Sequence, residues 1–237
     1  MNNSNPIAII TGASTGIGKY IAIELAKHAF EVILIARDKK KLSEVKKIIE
    51  ENGNDCLVVP ADISNPASVK NIISKINNPD NVEIIVNNAG IGVFDRIQDM
   101  SLEDWDMQIN TNLRGSFLIT QLFVPFLIKK KSGKILFMNS VAGLSPFPFS
   151  SAYVASKYGL RGFSSSLREE LREYNIKVIS VHPGAVDTPL WDKTESNFPR
   201  DEMMSAKDVS DMAVSTILAP NNVVCEEIVI RRTAGDF

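Results

Sequence analysis

A doubly wound α/β fold in a single domain is what this sequence predicts, with about seven parallel strands and helices on both faces of the sheet. Three observations carry that expectation. Short apolar runs rich in Ile and Val alternate with longer amphipathic stretches, and strands that are apolar throughout are those buried on both faces. No Pro/Gly/Ser-rich linker, internal repeat or low-complexity tract divides the 237 residues, a length that one α/β domain accommodates. A glycine-rich turn, Thr11–Gly18, joins the first apolar run to the first amphipathic one.

In chain order, a strand near Ile7–Ile10 passes through that turn into a helix over Gly16–His28. Strands Glu31–Ala36 and Cys56–Pro60 follow, each with a helix behind it, Lys39–Asn52 and Pro66–Ile76. The strand Ile84–Asn87 precedes a long helix over Ser101–Lys130, and Lys134–Asn139 precedes another over Ser151–Tyr174. Lys177–His182, a helix over Ala206–Leu218 and Cys225–Ile230 complete the series. Every predicted helix repeats apolar residues at three- and four-residue spacing. Pro189–Ser205, with Trp191, Phe198, Met203 and Met204 among polar residues, interrupts the alternation and reads as a flap over a substrate.

The composition narrows the function. A hydrophobic fraction of 44% and a charged fraction of 23% describe an ordinary globular chain with a sizeable core. A net charge of -2 offers no general attraction to nucleic acid or anionic membranes, so small molecules are the expected partners. Cys56 and Cys225 lie far apart without metal-ligand spacing, which suits free thiols in a reducing cytoplasm. The opening MNNSNPIAIITG lacks the pattern of a secretory signal, and no apolar run is long enough to span a bilayer. With only His28 and His182 and no HxxxH or CxxC pattern, no metal centre is expected.

Gly12, Gly16 and Gly18 of TGASTGIG stand where a strand opens into a helix, so a nucleotide pyrophosphate could approach the backbone and the free N–H groups of the helix start. The Gly-x-x-x-Gly-x-Gly spacing differs from the common GxGxxG pattern, and by itself it also fits a plain tight turn. Further motifs follow in fixed order: NNAG at Asn87–Gly90, Asn112 in NLRG, Ser140 in NSVAG, YVASK at Tyr153–Lys157 and HPG at His182–Gly184. Together they resemble the short-chain dehydrogenase/reductase family over essentially the whole chain. The resemblance implies a Rossmann-like fold and an oxidoreductase moving hydride between NADP(H) and a carbonyl or secondary alcohol. It also implies a catalytic tetrad at Asn112, Ser140, Tyr153 and Lys157.

Tyr153 and Lys157, four apart in a predicted helix, share one face. A tyrosine hydroxyl ionises near pH 10, and a nearby ammonium together with a nicotinamide positive charge would favour its phenolate, so Lys157 is expected to tune Tyr153. Tyr153 would act as general acid in reduction and as base in oxidation, with Ser140 hydrogen-bonding the reacting oxygen. The resemblance further implies that Lys157 holds the nicotinamide ribose and that Asn112 supports a water in proton transfer.

The second strand ends VILIARD, with Ala36 where the family's NAD-binding acid would stand and Arg37 after it, suited to a 2′-phosphate. NADP(H) is therefore expected over NAD(H), with Asp38 as the residue that a one-position shift would bring into play. By resemblance, the cofactor is also met by Ser14, Thr15 and Ile17, and by Asp62 and Ile63 at the adenine. Asn88, Ala89 and Gly90 would lie along the adenine ribose, and Pro183, Gly184, Val186 and Thr188 at the nicotinamide. Asp62 also reads as a helix cap.

Selectivity is expected from Ile91–Ile97, Ala142–Ser150 and Pro189–Met204, with Leu144, Phe147, Phe149, Trp191 and Phe198 as pocket candidates. Bacterial 3-oxoacyl carrier-protein reductases share the motifs, but the ending EEIVIRRTAGDF looks more like broad-specificity NADP-dependent carbonyl reductases. A non-catalytic NADP sensor is the alternative from another class, disfavoured by the intact tetrad. The helices Ser101–Lys130 and Ser151–Tyr174 resemble the pair that relatives pack between subunits, implying a homodimer or homotetramer.

Overall fold

The computed structural model describes residues 5–192 and 199–235. In chain order its elements are β1 (Ile7–Thr11), α1 (Gly16–Lys27), β2 (Glu31–Ala36), α2 (Lys39–Glu51), β3 (Cys56–Pro60) and α3 (Pro66–Lys70). There follow β4 (Val82–Asn87), α4 (Leu102–Gln108), α5 (Gly115–Lys130), β5 (Gly133–Met138), α6 (Ser151–Leu171) and β6 (Ile176–Pro183). The last are β7 (Val186–Asp187), β8 (Met204–Ser205), α7 (Ala206–Ile217) and β9 (Glu227–Ile230). Seven strands form one sheet in the order β3-β2-β1-β4-β5-β6-β9, and every neighbouring pair is parallel. Parallel neighbours cannot be joined by a tight turn, so the connections cross the faces of the sheet, mostly through helices.

Both faces are covered, which is why the strands are apolar at successive positions. Ile21 and Leu25 of α1, Leu42 and Val45 of α2 and Val214 of α7 pack on one face. Val69 of α3, Phe123 and Leu127 of α5 and Leu160 and Leu167 of α6 pack on the other. The strand order reverses between β1 and β4, and a crevice outside the carboxyl ends of such strands is where doubly wound folds bind ligands.

The sheet is as the sequence predicts; several boundaries are not. The helix expected over 66–76 stops at Lys70, and Ile73–Lys75 continues as a 3-10 turn while Val69, Ile72 and Ile76 enter the core. The helix expected over 101–130 is three pieces, because a π-helical stretch, Ile109–Arg114, separates α4 from α5. The strand expected from Cys225 starts at Glu227, and the two-residue ladder of β7 with β8 had no pattern long enough to announce it.

Candidate active site

The site is assembled at the carboxyl ends of β1, β4, β5 and β6. The Thr11 hydroxyl donates to the Val86 carbonyl at 3.2 Å and accepts from the N–H groups of Asn88 and Ala89 at 3.0 and 3.1 Å. Asn88 Nδ2 returns hydrogen bonds to the carbonyls of Thr11 (2.9 Å) and Gly12 (3.3 Å), so the glycine turn and the NNAG segment are locked edge to edge. Gly12 and Gly16 adopt φ of +65° and +54°, which only glycine enters without strain. At Gly18 a Cβ would stand 2.5 Å from the Gly12 carbonyl oxygen, so this position holds α1 tight against the turn.

Helices α2, α3, α4 and α7 each begin with a side-chain cap, from Asp38, Asn65, Ser101 and Ser205. Helix α1 begins after Thr15 with no side-chain cap, leaving its first N–H groups open beside the turn. Partly buried Ser14, Thr15 and Ile17 border this cradle, and the Thr188 methyl closes its far side, 3.2 Å from where a Gly16 Cβ would stand. Bare helix N–H groups and a backbone free of side chains fit a pyrophosphate.

Further along the edge, Arg37 is exposed just beyond β2, and Asp38 is committed to capping α2 by accepting from the Lys41 N–H at 3.1 Å. Asp62 accepts from the N–H and hydroxyl of Ser64 at 2.9 and 2.7 Å, while the cap of α3 is Asn65. Ile63 is buried against Gly115 at the start of α5 rather than lying open along the edge. Gly90 is exposed, and a Cβ built on it would lie 3.4 Å from Asn112 Oδ1 and 3.7 Å from Lys157 Nζ, so these two side chains converge beneath the NNAG loop. Pro183 ends β6, Gly184 N–H donates to the Ile230 carbonyl at 2.8 Å, and Val186 is buried in the short ladder with β8.

The four tetrad residues come together here. Ser140 follows β5 and caps the turn Val141–Gly143 by accepting from the Ala142 N–H at 3.1 Å. Tyr153 and Lys157 lie one turn apart on α6, with the ammonium 5.6 Å from the phenol ring centre. The π-helical stretch turns Asn112 inward, where it bonds both backbone groups of Ile91 at 2.9 Å and the Ser156 hydroxyl at 3.0 Å. Lys157 Nζ donates to the Met138 carbonyl at 2.9 Å. Burial pushes the Lys157 ammonium down to about 8. Burial also raises the Tyr153 phenol above its usual range, and the Ser140 hydrogen bond only partly offsets this. The expectation that Lys157 tunes Tyr153 concerns the site with nicotinamide bound; in the protein alone, desolvation holds the phenol up.

Of the pocket candidates, Trp191 lies at the site and Phe198 lies outside the described residues. Trp191 stacks on Phe94 (ring centres 5.7 Å apart, planes at 17°), and Phe94 meets the edge of Tyr153 at 5.5 Å. Phe94 was not singled out from sequence, although it stands in the loop 91–97 assigned to selectivity. Phe147 and Phe149 instead line a surface cleft with Asp95, Arg96, Ile97 and Gln98. Gln108, also missed, is buried and accepts from the Val93 N–H at 3.0 Å, steadying the loop that presents Phe94.

Comparison with known proteins bears on the chain as a whole. A family model described as short chain dehydrogenase matches residues 6–198. A protein of Chlorobaculum tepidum named sepiapterin reductase is 37% identical over 239 residues, covering 98% of each chain. A metagenomic short-chain oxidoreductase solved in complex with NADP superposes with a TM-score of 0.84 at 30% identity, over 97% of this chain and 98% of that one. An alcohol dehydrogenase of the archaeon Thermococcus sibiricus, complexed with 5-hydroxy-NADP, gives a TM-score of 0.88 at 26% identity, over 96% and 97%.

Proposed function

Because the chain belongs to the short chain dehydrogenase family, we propose that it is an NADP(H)-dependent carbonyl reductase. The observation that carries this reading is the convergence of Ser140, Tyr153 and Lys157 beside the Phe94–Trp191 pair, at the mouth of an uncapped helix start. When bound, the reduced nicotinamide supplies the hydride. Tyr153 gives its phenolic proton to the carbonyl oxygen, and Ser140 fixes that oxygen with a hydrogen bond. A phenol raised by burial keeps its proton at neutral pH, which suits the reductive direction. Lys157 stays charged below about 8 and steadies the phenolate left behind, so reductive turnover declines as pH rises through that value. Asn112, tied to Ile91, holds the loop above Lys157 in place.

Three features support NADP(H) over NAD(H): Ala36 in place of an acid, exposed Arg37 beside it, and the engagement of Asp38 as a helix cap. Relatives solved with NADP and with 5-hydroxy-NADP support a nicotinamide cofactor. For the substrate, two nearly parallel aromatic rings at the Tyr153 edge favour a flat conjugated ring bearing a ketone. The likeness to a sepiapterin reductase makes a pterin with a side-chain ketone the first compound to test. Free Cys56 and Cys225 fit a cytoplasmic protein. Exposed Phe117 on α5 and Tyr158 on α6 fit assembly into a homodimer or homotetramer.

The test is oxidation of NADPH, and separately NADH, against pterin ketones, aromatic ketones, diketones and 3-oxoacyl thioesters. Turnover with NADPH that falls about 10²- to 10⁴-fold in Tyr153→Phe supports the reading. Tight NADPH binding without turnover of any carbonyl sinks it in favour of a sensor. Preferred reduction of the thioesters transfers the assignment to acyl-carrier reduction.

A further inference from the structure

Resting on the reductase reading of the site, we propose that His182 is a positioning residue for proton transfer. Its imidazole, backed by Glu227 and Arg161, holds the Ser140 carbonyl and with it the turn that aims the Ser140 hydroxyl at Tyr153.

His182 is fully buried near the end of β6. Its Nδ1 lies 3.2 Å from the Ser140 carbonyl oxygen, and because a carbonyl only accepts, Nδ1 carries the proton. In the neutral ring Nε2 is then bare; it has no hydrogen-bond partner and stands 4.0 Å from Glu227 Oε2. Glu227 accepts from Arg161 Nε and Nη2 at 3.2 and 3.0 Å, which fixes the carboxylate behind the ring. A buried ring nitrogen without a partner is costly, so this arrangement is not the one that packing alone selects.

The Ser140 carbonyl also accepts from the Gly143 N–H at 2.9 Å, so its two lone pairs join β6 to the turn after β5. That turn supplies the Ala142 N–H on which the Ser140 hydroxyl oxygen rests, at 3.1 Å. With its oxygen accepting there, the hydroxyl is left to hydrogen-bond Tyr153, its side-chain partner. Loosening His182 frees the carbonyl, then the turn, then the angle of the hydroxyl.

The groups facing the ring are Glu227 from β9 and Arg161 and Lys157 from α6. Burial holds the imidazole below the usual histidine range, so the ring is neutral and its tautomer single at neutral pH. Protonation puts a second N–H toward Glu227, in competition with Arg161, while Nδ1 still donates to the Ser140 carbonyl.

The experiment compares His182→Leu, which removes the donor, with His182→Asn, whose amide restores a donor at the Nδ1 position without titrating. In His182→Leu, kcat is expected to fall about tenfold or more while KM and the NADPH dissociation constant stay within about twofold. His182→Asn is expected to recover kcat to within about threefold. Amide hydrogen exchange of residues 140–144 should quicken in His182→Leu and not in His182→Asn. Unchanged kcat and exchange in His182→Leu overturn the proposal, as does an equal fall of kcat and NADPH binding in both variants. If the wild type reduces no carbonyl, the reductase reading fails by itself, and the exchange comparison still decides whether His182 holds the turn.

Discussion

An ammonium group withdrawn from water keeps its proton only where other groups replace the lost hydration. Lys157 receives one carbonyl, that of Met138, and is otherwise enclosed. The drop from 10.5 to about 8 corresponds to about 3 kcal/mol that the charged form costs the fold near neutral pH. Lys157→Met is therefore expected to raise unfolding stability at pH 7 by about 1–3 kcal/mol in urea denaturation while abolishing turnover. Between pH 8 and 10.5 the unfolded chain holds at Lys157 a proton that the folded chain has released, so the stability gap between the variant and the wild type narrows as pH rises. A variant less stable than the wild type at pH 7 refutes this account. The spacing that puts Tyr153 and Lys157 on one face was legible in sequence, because it is a property of the helix itself. The upward shift of Tyr153 in the protein alone was not, because it depends on how much water the surrounding loops exclude.

Close approach of backbone to backbone is what the glycine turn provides, and it is an interaction between elements rather than within one. A methyl at Gly18 meets the Gly12 carbonyl and the Asn88 amide together, pushing α1 off the turn that β4 braces. Gly18→Ala is expected to weaken NADPH binding at least tenfold, read by fluorescence titration, and to cost about 1–3 kcal/mol of stability. Gly162 in α6 has open space around it, and Gly162→Ala should instead stabilise by about 0.5–1 kcal/mol. Equal effects at the two positions would remove the steric argument. The strands and most helices were legible because apolar residues recur with a period fixed by backbone geometry. The π-helical stretch was not, since the helix after it, Gly115–Lys130, is apolar almost all round and carries no phase against which the slip could be read. What marks it is the inward Asn112, visible in sequence only through the resemblance to relatives. Thr11 was passed over for the same kind of reason: its hydroxyl serves three groups near the end of β4, and contacts made across a sheet leave no local periodicity.

At the scale of the molecule, helices cover both faces of the sheet and leave apolar side chains outside on α5 and α6. Phe117 is 42% exposed and packs edge-on against Phe163 of α6, while Tyr158 of α6 is likewise 42% exposed. Scattered exposed apolar residues are ordinary, but these two lie on the pair of helices that relatives by resemblance pack between subunits. Sedimentation equilibrium is expected to give two or four times the chain mass, with Phe117→Glu shifting the population toward monomer. A wild type that sediments as a monomer at micromolar concentration ends the assembly proposal. The fold class was fully legible from the alternation of elements; the order of the strands was not, because parallel crossovers are compatible with more than one doubly wound order.

The place of β9 in the sheet bears on when the site comes into being. Synthesis delivers the strands from β1 onward, and all four tetrad residues have emerged well before Glu227. Only when β9 has docked beside β6 does Glu227 reach Arg161 and the back of the His182 ring. The backing of the His182 ring is therefore among the last parts of the fold that a growing polypeptide can complete.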